Sequence, residues 1–577
     1  MSLEGVQLTL VESPGELADF LEWLGHDRRI LGVDIETTGL NVAKDRIRMV
    51  QFGDAQRGFA LSYRDWRGII RDIFARYRRP MVGHHWKFDS GFLARDGITT
   101  PWERTHDTMP MCFLYDSLGP KSLKAASALH IDPAAREGEA QLKKAMAKNG
   151  WTWATVPEDF PTYWEYAALD TVLTAQLAEK LWPLIQPYRE AYDLEMAVER
   201  ILCDMELRGA RIDVGYCQDM LQNLLWEHGA LLDQLAPLNP HSAAEVIAEF
   251  AKQGVTLTKR TQSGQLAVDD AVLQHVGTPF AAQVVKAREL KKLMSAYFEN
   301  FLEQRDGDIL HPHINQLQAR TGRMSVTEPA LQTVPKTSFV RDAFIPREGN
   351  KLVLCDYDNE EVRLMAHFSR DPGMIAAFLE NPPRDVHLDV SIRCYGEQEG
   401  PAKRDRGKRA LFSKAYGAGV AKFAHTIGVP ESEAQRIYNA LEATYPGLQT
   451  GMEKATRIVR ERASYDHAET GYVVLSDKRH IRVKKEKAYV GWNALIQGNA
   501  AAVLKRAIVD LEAAGLGEFL ILPVHDELMF DVPESDVAEV VPLIEQTMRR
   551  DDWRVPLTAS AKVADRWGDP YRENHSE

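Results

Sequence analysis

Arg404-Asp-Arg-Gly-Lys408-Arg-Ala-Leu-Phe412-Ser-Lys-Ala-Tyr416-Gly417 sets two cations and two aromatics at steps of four. On an α-helix each such step advances about 400°, so the four side chains drift slowly along one face. Together they span about 18 Å. Cations come first on that face and aromatics second. This order suits a nucleoside triphosphate, with Arg404 and Lys408 at the phosphates and Phe412 and Tyr416 at the sugar and base. Between Lys403 and Lys422 the chain holds seven cations against one acid, Asp405, although the 577 residues carry a net charge of −13. Net charge alone argues weakly against a nucleic-acid partner, because binding follows where the charge sits. The plain alternative for such a run is a solvated helix face, and acidic segments elsewhere decide against it.

Working outward, Lys351-Leu-Val-Leu-Cys-Asp356-Tyr-Asp-Asn-Glu-Glu361-Val-Arg363 reads as an apolar strand ending in carboxylates. Far away in sequence, Phe519-Leu-Ile-Leu-Pro-Val-His525-Asp526-Glu527-Leu-Met-Phe-Asp-Val reads as a β-hairpin with His-Asp at its turn. A second acidic site opens the chain: Leu31-Gly-Val-Asp34-Ile-Glu36-Thr-Thr-Gly puts two carboxylates at i and i+2 of a strand, on one face. Converging carboxylates repel unless a cation lies between them, which favours a divalent metal. Phe88-Asp89 follows a strand-like run at 81–83, and Tyr166-Ala-Ala-Leu-Asp170 spaces a phenol and a carboxylate one helical turn apart.

The length predicts several domains, and 45% hydrophobic with 27% charged residues is ordinary for a globular protein. No apolar run reaches membrane-spanning length, and the opening residues lack the order of a secretory signal. Cys112, Cys203, Cys217, Cys355 and Cys394 form no CxxC pair and read as reduced thiols of a cytoplasmic protein. Residues 1–187 mix short β-like and helical runs, 188–310 are mostly helical with a polar interruption at 258–265, and strand-like runs return from 311.

The first acidic site resembles the DEDD superfamily of 3′→5′ exonucleases, in the form with a tyrosine in its third motif. The resemblance implies that Asp34, Glu36, Asp89 and Asp170 hold two metal ions and that Tyr166 helps place the attacking water. His85 stands where the second motif usually has asparagine, and its protonation would vary with pH. The remaining segments resemble the A, B and C motifs of family A DNA polymerases, relatives of bacterial DNA polymerase I. Thr321-Gly-Arg323-Met-Ser325, Asp385-Val-His387 and Asn493 with Gln497-Gly498 extend the likeness over essentially the whole chain.

This resemblance implies a multidomain α/β and α+β fold, an RNase H-like exonuclease domain (1–187) followed by a right-hand polymerase. The thumb would be 188–310, the palm 311–370 and 486–577, and the fingers 371–485. Asp356 and Asp526 would bind two Mg2+ ions, with Glu527 beside them and Lys408 as a candidate proton donor to pyrophosphate. Manganese suits the same hard oxygen ligands. Arg404, Lys408, Phe412, Tyr416, Glu361 and His387 would bind the dNTP, with Glu361 excluding ribonucleotides and Phe412 discriminating against dideoxynucleotides. Arg323, Asn493, Gln497, His525, Lys259 and Arg260 would contact primer-template DNA. A single-stranded 3′ end would enter the exonuclease site.

A replicative enzyme of a bacteriophage is expected, monomeric, without a 5′ nuclease, in the host cytoplasm and open to replisome proteins. Three departures from the family pattern matter. Asp358, Asn359 and Glu360 replace serine, glutamine and isoleucine after the catalytic aspartate, and the added carboxylates are expected to point at solvent. Tyr489 replaces an arginine that contacts the primer strand. Gly407 is expected to ease bending of its helix, where glycine costs about 1 kcal/mol relative to alanine. A nuclease with a merely binding carboxy-terminal half, or a non-enzymatic clamp, would not need Asp356, Lys408, Asp526 and Glu527 intact.

Overall fold

Near-continuous burial along the central early strands builds an amino-terminal sheet covered on both faces. The computed structural model describes residues 3–261, 263–336, 339–465 and 468–572. Its first sheet comprises β1 (Gln7–Val11), β2 (Leu31–Thr37), β3 (Ile47–Gly53), β4 (Arg57–Ser62), β5 (Met81–Gly83) and β6 (Thr105–Asp107), in the order β1-β4-β3-β2-β5-β6. β3 runs antiparallel to both neighbours, and the other pairs are parallel. Leu31, Val33 and Ile35 enter a core with Phe20, Trp23, Ile70 and Phe74 of the flanking helices. The opposite face of β2, with Gly32, Asp34 and Glu36, meets the helix Pro161–Ile185.

Glycine makes that meeting close. A Cβ on Gly32 would lie 2.3 Å from the Thr171 carbonyl oxygen, and one on Gly58 would lie 2.4 Å from that of Ala168. The helix carrying Tyr166 and Asp170 therefore rests backbone-on-backbone against the sheet.

A second sheet, antiparallel throughout, has the order Leu520–Val524, Glu527–Pro533, Asn350–Tyr357 and Ala559–Ala564. Its hairpin turn is His525-Asp526, as expected, and Asp356 pairs with Glu527 across the ladder. One continuous apolar core runs from the helix Arg189–Arg208 under this sheet to the helices of 386–448. Residues 214–304 form helices with a smaller core of their own around Phe250, Leu273 and Val284. Within them the polar stretch at 258–265 folds back on itself through an Arg260–Leu266 bridge.

The helix Arg189–Arg208 joins the two halves, and it does so with charge as well as apolar surface. Glu195 is fully buried and accepts hydrogen bonds from Lys505 Nζ at 2.7 and 2.8 Å, Arg479 Nη1 at 2.5 Å and Gln316 Nε2 at 2.9 Å. Arg479 also holds Asp477 at 2.6 Å. Three distant segments thus close on one carboxylate, whose charge is compensated rather than left in low dielectric. The hairpin Thr470–Val474/His480–Lys484 packs against the amino-terminal domain, with Tyr188 Oη 3.0 Å from His480 Nδ1 and the Arg482 N–H donating to Ser117 Oγ at 2.8 Å.

Among the described residues no helix is long and apolar enough to cross a membrane. All five cysteines are free and buried.

Candidate active sites

In the amino-terminal site, strand alternation aims Asp34 and Glu36 the same way, and the glycine-seated helix brings Asp170 to them. One carboxylate oxygen from each of the three lies within 4.8 Å of the others. Burial pushes the Asp34 carboxyl up to about 7 and, with the charge of Asp34 added, the Glu36 carboxyl up to about 8. Two raised carboxyls with a third converging on them are what a divalent cation relieves, so these residues fit a metal. Asp89 is buried beside them but lies outside the trio. It accepts the Ile35 N–H at 3.0 Å and so ties its own helix, Trp86–Arg95, to β2. The Tyr166 phenol is held above its usual range by burial, then by the charges of Glu36 and Asp34.

His85 corrects an expectation. It starts the Trp86–Arg95 helix in the left-handed backbone region (φ 65°), and burial lowers its ring to about 3. It stays neutral across the working range and does not vary with pH there. Lys124, absent from the sequence reading, ion-pairs with Asp170 and lies 4.1 Å from the centre of the Tyr166 ring. A lone lysine in a helical run gives no sequence signal of this placement.

The carboxy-terminal site forms where the two central strands of the second sheet end. Asp356 ends one strand and Asp526 precedes the Glu527 that pairs with it, and burial followed by the Asp526 charge pushes the Asp356 carboxyl up to about 7. Asp356 Oδ1 is buried without a hydrogen-bond partner, an acceptor left open as a metal ligand requires. Lys336, also unanticipated, lies 3.7 Å from Asp356. Glu527 is held by the Trp567 indole N–H at 3.1 Å and the Tyr571 hydroxyl, with Arg341 at 4.0 Å, so its oxygens are engaged by protein groups.

Arg404–Ala415 is a helix, with Tyr416 as its C-cap. It packs on the helix Val386–Glu399, which places the His387 and Phe412 ring centroids 5.9 Å apart, with Tyr416 another 5.9 Å along. Lys408 is exposed on this face. Arg404 is paired with Asp385 at 2.5 Å. His387 is buried with a partnerless Nδ1, and burial plus the charge of Lys408 lowers it to about 4. Glu361 accepts from both Arg323 and the Tyr416 hydroxyl, joining three predicted residues directly.

Gly407 turns out to be a packing residue. A Cβ there would sit 2.6 Å from the His387 carbonyl oxygen, so glycine permits the two helices to approach. Glu360 also departs from expectation: it is 4% exposed and its Oε1 has no partner. Helix periodicity turns it inward from the strand end, toward Asp526 and Asp356, and burial raises its carboxyl well above the usual range. Asp358 is tied to Thr558 Oγ1 at 2.8 Å and to Ser560 Oγ, and does not simply meet solvent.

Asn493 and Gln497 share one half-exposed face of the helix Gly491–Ala513, and Asn493 Oδ1 is unpartnered. His525 is exposed at the hairpin tip (φ 62°). Lys259 and Arg260 are exposed far from either acidic site; Lys259 pairs with Asp269 at 3.0 Å and Arg260 donates to the Gly264 carbonyl at 2.7 Å. Tyr489 is 54% exposed and lines a groove of about 400 Å³ with Gly417, Arg457 and Arg460.

Comparison with known proteins follows the same division. The sequence profile of DNA polymerase family A matches residues 227–569, and that of a 3′-5′ exonuclease matches residues 9–186. The DNA polymerase of Mycobacterium phage L5 is 29% identical over 98% of this chain and 97% of its own length. DNA polymerase I of Pseudomonas aeruginosa is 27% identical over 96% of this chain and 65% of its own. In fold, the POL domain of Pol1 from M. smegmatis, solved with DNA primer-template and dNTP, superposes with a TM-score of 0.79 at 23% identity, covering 97% of this chain and 99% of that one.

Proposed function

Because the chain belongs to DNA polymerase family A and carries a 3′→5′ exonuclease domain, we propose that its two acidic sites divide primer extension and proofreading between them. The observation that carries this reading is the separation of two carboxylate sets on two different sheets, only one of which faces the helix of cations and aromatics. Residues 1–187 are assigned to the exonuclease, 188–310 to the thumb, 311–370 and 486–577 to the palm, and 371–485 to the fingers.

At the palm, Asp356 and Asp526 would hold magnesium, with manganese as the alternative. Bound there, a pair of divalent cations would favour ionisation of the primer hydroxyl and offset charge on the phosphate. The chain's own residues do the positioning. Lys408 meets the triphosphate and can give a proton to the departing pyrophosphate. Arg404 reaches the phosphates by exchanging Asp385 for them, and Phe412 with His387 borders the sugar. Glu361, clamped by Arg323 and Tyr416, presents a fixed wall toward the sugar 2′ side. Glu527, already satisfied by Trp567 and Tyr571, supports the hairpin that carries Asp526.

At the exonuclease site, Asp34, Glu36 and Asp170 would hold the first cation and Asp89 would complete the set, with Tyr166 orienting the attacking water. Arg323, Asn493, Gln497, His525, Lys259 and Arg260 are assigned to primer-template DNA; such contacts give affinity with strong salt dependence and little sequence preference. The phage relatives support a role in phage DNA replication, with replisome proteins as further partners.

Separation of function tests the assignment. Asp526→Ala should abolish extension and leave primer degradation, while Asp34→Ala with Glu36→Ala should do the reverse. Retained synthesis in the first, or retained 3′ degradation by the second, overturns the site concerned.

A further inference from the structure

We propose that Lys124 is a built-in cation that competes with the first metal ion for the Asp170 carboxylate, and so sets when the exonuclease site becomes loaded. The proposal rests on the metal-site reading of Asp34, Glu36 and Asp170 given above. Lys124 comes from a separate helix, Leu123–His130, which packs directly against Pro161–Ile185. Its side chain is nearly sealed from solvent, ion-paired to Asp170 and laid over the Tyr166 ring at 4.1 Å. Asp34 and Glu36 also act on its charge, so one ammonium serves the whole carboxylate trio. A buried ammonium is costly unless paired, and here its pairing partner is the same carboxylate a metal would take.

A fourth acid gives the displaced ammonium somewhere to go. Glu139, on the neighbouring helix Glu137–Asn149, acts favourably on the Lys124 charge and is held at the surface by Lys143 at 2.5 Å, a pair it can share. Loading then exchanges an ion pair for coordination, and the protein without metal keeps the Asp170 carboxylate compensated. Lys124 is in this sense a positioning residue. It makes metal affinity weaker than the three acids alone would give, whereas a purely structural lysine would make it stronger.

The test is metal binding in the full-length chain, without DNA. With Asp356→Ala and Asp526→Ala removing the polymerase ligands, Mn2+ is titrated at about pH 7, below the point at which burial lets the Lys124 ammonium lose its proton, and followed by electron paramagnetic resonance. Lys124→Met should bind the first Mn2+ about tenfold more tightly, the change expected for removing one close charge. Lys124→Arg should stay near the Lys124 parent. Equal or weaker binding by Lys124→Met overturns the competition. If Asp34→Ala with Glu36→Ala binds Mn2+ as the parent does, the metal-site reading falls instead. Primer extension by Lys124→Met in the otherwise intact chain reports its folding, and Lys124→Gln replaces it if extension is lost.

Discussion

Asp34, Glu36 and Asp356 share one electrostatic circumstance, in which burial, joined at Glu36 and Asp356 by the charge of a neighbouring acid, pushes a carboxyl up to about 7 or 8. In the metal-free protein the folded state therefore binds these protons more tightly than the unfolded state does. That stabilisation is present at acid pH and is lost as pH rises through about 7 to 8. The unfolding temperature in chelator should consequently fall between about pH 5 and pH 8.5, and added Mg2+ should restore it most at the alkaline end. A melting temperature that rises with pH across this window would contradict the burial of these acids. Glu360 carries a related prediction. As a buried acid with an unpartnered oxygen it destabilises the carboxy-terminal half, and Glu360→Ile should gain about 1–3 kcal/mol in denaturant unfolding. At this scale the sequence showed which acids matter through their spacing on strands and helices. It could not show that Glu360 turns inward or that Lys124 and Lys336 reach the carboxylates, because these depend on how segments far apart in the chain pack together.

Helix placement, more than helix formation, shapes both sites. The Arg404–Ala415 helix is legible from its i, i+4 sorting of cations and aromatics, and its close seat on Val386–Glu399 depends on Gly407. Gly407→Ala gains about 1 kcal/mol of helix propensity but forces a 2.6 Å contact with the His387 carbonyl. Overpacking of this kind costs about 1–3 kcal/mol. The helix should shift, raising the KM for dNTPs severalfold while exonuclease activity is unchanged. Steady-state kinetics showing an unaltered KM would remove the packing role. The glycines Gly32 and Gly58 do the same for the Pro161–Ile185 helix. A glycine inside a strand hints at close approach in general, and only the fold identifies which backbone arrives.

Across the whole molecule, the two halves are joined through Glu195, which gathers Arg479, Lys505 and Gln316 from three distant segments. Removing it leaves the buried Lys505 without an ion-pair partner and Arg479 with Asp477 alone, at a cost of about 3–5 kcal/mol. Glu195→Ala should lower the denaturation midpoint and diminish synthesis and degradation together, unlike any variant confined to one site. Loss of a single activity with unchanged stability would contradict a shared anchor. The division into an exonuclease and a polymerase could be read from motif order alone, since each motif needs only local strand or helix geometry. The joint could not, because a glutamate on an amphipathic helix looks like a solvated one until its partners are assembled. The measurement that bears most directly on the central claim is a gel assay of an end-labelled primer annealed to a longer template, in Mg2+, with and without the four dNTPs. Two working sites predict extension with dNTPs and 3′ shortening without them; shortening under both conditions would show a nuclease whose polymerase half only binds DNA.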